Sequence, residues 1–109
     1  MTAPVHVIIP WSGIPSELLS RSVVFQNAIG MDPSMLDWRT RIDERVLKRE
    51  MLVWMLRRFY PKGWYMPTFP EIAWVTGAHN HSTVITAYQR YDAKIKDPAF
   101  KPTHTFTLE

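Results

Sequence analysis

No cysteine occurs anywhere in the 109 residues, which excludes disulfides and thiolate metal sites and removes one common sign of secretion. Glycine is nearly as scarce. The four glycines are scattered, so no loop of the phosphate-cradling kind is present and neither nucleotide binding nor an ATPase module is expected. Of the four histidines, only His79 and His81 are close, and two residues apart is the wrong spacing for a helical zinc pair. The nearest carboxylate in sequence is Glu71, so no metal is expected either. Ser82 beside His81 is not a nucleophile and base, because neighbours on a helix point about 100° apart. The longest apolar stretch, residues 51–56, is far too short to span a bilayer. The opening MTAPVHVIIPWSG has no basic leader, and Pro10 interrupts its apolar run, which argues against a signal peptide. These absences point to a protein with no catalysis, cofactor or membrane role, compatible with the cytoplasm.

What is present fits one small hydrophobic core, with 46% hydrophobic and 13% aromatic residues. Net charge is only +3, but it is unevenly placed. Residues 39–62 hold eight Lys/Arg against three Asp/Glu, a local +5 that leaves −2 for the remainder. That clustering predicts one basic face, although such charges can also serve only to solvate helix ends.

The pattern divides the chain into an extended, proline-punctuated arm (residues 1–15), a helical domain (16–97) and a tail (98–109). Ser16 can cap a first helix to about Ala28, with Leu18, Leu19, Val23, Val24 and Phe25 apolar. Asp32-Pro33 predicts a short helix to about Asp37, followed by a basic loop over residues 38–42. Residues 43–60 predict a long helix whose middle, MLVWML, is apolar nearly all round and so belongs at the centre of a bundle. The five tryptophans read as core, Trp54 and Trp74 on helices, with Trp64 the one candidate for exposure. The tail alternates in a strand-like way from Thr103 to Leu108, with no evident partner.

The most informative stretch lies between residues 68 and 91. Thr68 and Glu71 can form a capping box, Ile72, Ala73 and Val75 give the helix an apolar side, and Gly77 permits a left-handed end. Asn80 can cap a second helix whose first turn carries His81, Ser82 and Thr83, while Val84, Ala87, Tyr88 and Tyr91 hold it to a core. Two short helices about a glycine turn are the layout of a helix-turn-helix, in which short polar side chains of the second helix reach base edges in the major groove.

The run TFPEIA, then GAHNHSTV, then Ala87 and Arg90, resembles the C-terminal DNA-binding domain of the bacterial replication initiator DnaA. The resemblance covers about residues 20–97 and implies an all-α, helix-turn-helix fold related to that of Trp repressor. It assigns Pro70, His79, Asn80, His81, Ser82 and Thr83 to the major groove, and Arg39 and Arg41, on the basic loop, to the minor groove. Phosphate contacts fall to Arg45, Lys48, Arg49, Arg57 and Arg90. This chain departs from the family's pattern at His79, usually basic, at Asn80, usually acidic, at Thr76, usually apolar, and in a longer connection over residues 60–68. An amide at Asn80 in place of a carboxylate implies pairing with adenine rather than cytosine.

The implied function is site-specific binding of double-stranded DNA, regulating replication initiation or transcription in a bacterial, phage or plasmid setting and placing the protein on the nucleoid. The alternative is a protein-interaction module that keeps the fold, has lost base readout through His79 and Asn80, and binds a replication protein through Trp64, Tyr65 and the terminal arms.

Overall fold

The computed structural model describes residues 5–9, 18–32, 36–39, 42–60, 66–100 and 104–108. Its body is an all-α bundle built around the helix Asp43–Arg58, labelled α2. Asp43 and Glu44 in the first turn and Arg57 and Arg58 in the last match the helix dipole at both ends. Between them Met51, Leu52, Val53, Met55 and Leu56 are all buried, as the apolar run predicts. The helix ends two residues short of the expected boundary, Phe59 already being extended.

Among the described residues three further helices close over α2. Leu18–Ala28 (α1) contributes Phe25, and Ile29 follows it into the core. Its expected apolar face is only partly used, because Arg21 and Ser22 are buried while Leu19 and Val23 face outward at 52% and 49% exposure. Phe69–Thr76 (α3) buries Ile72, Ala73 and Val75, and His81–Lys96 (α4) buries Val84, Ala87 and Tyr91. Among the described residues these side chains and Met31 form one buried apolar cluster of fourteen, the main stabilising term of the fold. The Ser16 cap and most of the short helix after Asp32 lie outside the described residues.

The terminal segments do not remain separate. Val5–Ile9 (β1) and His104–Leu108 (β2) pair as a two-stranded parallel sheet, in register from Val5 opposite His104 to Ile9 opposite Leu108. The tail that looks partnerless in sequence therefore pairs with the N-terminal arm, and β1 lies alongside α1.

Candidate nucleic-acid interface

The unit α3–turn–α4 forms as its local chemistry dictates. Thr68 and Glu71 make the reciprocal capping box, with Thr68 N–H donating to Glu71 Oε1 at 3.0 Å and Glu71 N–H to Thr68 Oγ1 at 3.3 Å. Pro70 stands in the first turn, where no N–H is needed, and is exposed. Gly77 ends the helix at φ 74°, a left-handed conformation that a side chain would strain. Thr76, a polar residue near the end of α3, is 1% exposed. Its hydroxyl is satisfied by donating to the Ile72 carbonyl at 2.7 Å.

Asn80 caps α4: its Oδ1 accepts from Thr83 N–H at 3.1 Å and from the Thr83 hydroxyl at 3.4 Å. That geometry bears on the expected adenine contact. Paired readout needs Oδ1 and Nδ2 together, and Oδ1 is held within the cap, so Asn80 can offer a base only the donor Nδ2. Around it His79, His81 and Ser82 are exposed and Thr83 is half-buried, so the first turn of α4 presents polar groups outward.

A concavity of about 360 Å³ joins this turn to the segment before α2. Trp38, Arg39 and Arg49 line one side, His79, Thr83 and Arg90 the other. Residues expected in the minor-groove loop, the major-groove helix and the phosphate set thus meet around one hollow. Thr86 also lines it, three residues after Thr83 on the same face of α4.

Trp38 makes this possible, and nothing in its sequence neighbourhood marks it. Its indole N–H donates to the Thr76 carbonyl at the end of α3, at 2.9 Å. Its ring lies 5.3 Å from the Arg49 guanidinium carbon, and Arg49 Nη1 donates to the Asp37 carbonyl at 2.9 Å. The next residue, Arg39, folds back on Asp37 through its backbone N–H and its guanidinium, both at 3.1 Å from Oδ1. Those bonds hold the Asp37 carboxyl below its ordinary pKa and keep Arg39 charged. The Arg39 side chain is nevertheless 88% exposed.

The expected phosphate set divides in two. Arg90 is exposed on the rim, and Arg45 is half-buried one turn before Arg49 on α2. The other three are engaged with groups of the protein itself. Arg49 is only 4% exposed and anchors the Trp38 segment. Lys48 donates to the Gly30 carbonyl at 3.1 Å, with Glu44 3.7 Å away. Arg57 lies over the Phe69 ring, its guanidinium carbon 4.3 Å from the centroid, and donates to the Pro67 carbonyl. Each therefore braces a connection within the protein. Glu50, the one acid among the described residues lining the hollow, is buried and neutralised by Lys94 at 2.6 Å, which leaves the surface basic.

Arg41 and Trp64 lie outside the described residues. Trp74, expected in the core, is 76% exposed on α3. No family model, curated protein or solved structure matches the chain.

Proposed function

We propose that this chain binds double-stranded DNA site-specifically through α3 and α4, in the manner of the initiator's C-terminal domain, without catalysis. One observation carries the reading: Arg39, remote in sequence, shares the rim of one basic hollow with His79, Thr83 and Arg90 of the turn and α4. If His81, Ser82 and Thr83 enter a major groove and the 39–41 loop enters the adjacent minor groove, the strand dividing the two grooves must run between them. The hollow, with Arg39 on one side and Thr83 on the other, has room for such a strand. Arg90 and Arg45 then take phosphates, and Arg39 with Arg41 takes the narrow groove, whose negative potential favours an inserted arginine. Such a domain regulates replication initiation or transcription, by competing for initiator sites or as a phage or plasmid regulator.

The test is selection of bound fragments from random duplex DNA, followed by affinity measurements over a salt series. With Arg39, Arg41, Arg45 and Arg90 as the available cations, the slope of log K on log salt should be about −3 to −4. His81→Ala and Thr83→Ala should each cost about 1–3 kcal/mol on the selected site and far less on scrambled duplex. Arg41→Ala should relax preference for A·T pairs in the flank. A protein-interaction module is the second reading, favoured by the exposure of Trp74. Binding to no duplex in the pool would select it.

A further inference from the structure

Arg39 brings the charge of the basic segment to the rim of the hollow, yet in the free protein its guanidinium is already occupied. Its backbone N–H and its Nε both donate to Asp37 Oδ1 at 3.1 Å, and its Nη2 donates to Oδ2 at 3.3 Å. Nε and Nη2 make one edge of the guanidinium fork, the edge that matches two oxygens of a carboxylate or of a phosphate. Asp37 therefore fills a position that a DNA phosphate would take.

The two partners are not equally free to move. Asp37 is pinned through its carbonyl, which accepts from the buried Arg49 at 2.9 Å, and its neighbour Trp38 is tied to the end of α3. The Arg39 side chain is 88% exposed, so the guanidinium can swing away while the carboxylate stays in place.

We propose that Asp37 is an autoinhibitory counter-ion, which Arg39 must leave before it reaches the phosphates bordering the narrow groove; this rests on the DNA-binding reading above. The exchange replaces one two-pronged ion pair by another, so Arg39 contributes to affinity only the difference between them. Exposed pairs of this kind are weak, which puts the penalty at about two- to fivefold in Kd. Two simpler roles for Asp37 lead to other outcomes. If its Oδ1 served only to shape the turn at Arg39, asparagine would do the same and binding would not change. If its charge merely repelled DNA, neutralising it would tighten binding whether or not Arg39 were present.

Fluorescence anisotropy on the selected duplex, at one fixed salt concentration, compares the parent with Asp37→Asn, Arg39→Ala and the double variant. The expected result is that Asp37→Asn binds about two- to fivefold more tightly, and that this gain disappears in the Arg39→Ala background. A second readout needs no variant to fold: the carboxyl carbon resonance of Asp37 in the parent should move when duplex is added, because the carboxylate loses its partner. Unchanged or weaker binding by Asp37→Asn overturns the proposal. So does a gain of equal size with and without Arg39, or an Asp37 carboxyl that bound duplex leaves unmoved. Any of these results, obtained with the parent still binding, leaves the DNA-binding reading standing, whereas a parent that binds no duplex overturns both.

Discussion

Replacing Trp38 by phenylalanine removes the indole N–H and trims the ring while keeping an aromatic face, which makes it a test of how the basic segment is held. The lost donor leaves the carbonyl of Thr76, a residue 1% exposed, without the bond that closes the end of α3. An unsatisfied buried acceptor costs about 1–3 kcal/mol. The Phe ring keeps part of the stacking on Arg49, so cation–π loss adds only some tenths to about 1 kcal/mol. A net loss of about 2 kcal/mol corresponds to a fall in Tm of roughly 8–16 °C for a domain near this size. Thermal and urea unfolding followed by far-UV circular dichroism measure it without relying on the tryptophan that was removed. A double-mutant cycle between Trp38→Leu and Arg49→Leu should show coupling of at least about 0.5 kcal/mol, since the two side chains share one contact. DNA affinity should fall beyond the loss of stability, because Arg39 follows Trp38 directly. A Phe variant within about 0.5 kcal/mol of the parent would refute the claim that the Trp38–Thr76 bond ties the loop to α3.

Arg90→Ala and Arg49→Ala should separate binding from folding. The first lowers the salt slope of DNA binding by about 1 and leaves Tm unchanged, whereas the second lowers Tm because a buried guanidinium leaves the Asp37 carbonyl. Asn80→Ala should cost about 1 kcal/mol of stability and Asn80→Asp almost nothing, because both native and Asp side chains cap α4; urea unfolding distinguishes them. Burial pushes the Tyr91 phenol up to about 12, so the fold prefers its neutral form. The stability it supplies is complete below about pH 10 and is lost as pH rises toward 12, at most about 2–3 kcal/mol. Alkaline unfolding that Tyr91→Phe shifts to higher pH is the expected outcome, and identical profiles would count against it.

Much of α3 and α4 could be read from single residues because their boundaries are set by local chemistry. Thr68 with Glu71, Gly77 and Asn80 each act on backbone groups within a turn of themselves, so the pattern suffices to find them. Arg49 could not be assigned that way. Whether a cation on α2 meets solvent depends on where residues 37–39 fold back, and that contact spans twelve positions. The hydrophobic pattern misleads outright on α3. FPEIAWVT is apolar nearly throughout, so the side facing solvent is set by the helix's neighbours, which expose Trp74 and bury Thr76. The tail's alternation marks an extended segment but carries no address for its partner, which comes from the opposite end of the chain. Thr86 was within reach, since a residue three after Thr83 must share its face.

The pairing of β1 with β2 also sets an order in time. Contacts within and between consecutive helices close short loops, while the ribbon joins segments from the two extremes of the sequence, with a correspondingly larger closure entropy. The helical body can therefore assemble first, within the microsecond-to-millisecond range usual for such bundles, with the strands zipping afterwards. Reversed, that order makes the ribbon the first part to open, and its amides the first to exchange with solvent while the helices still hold.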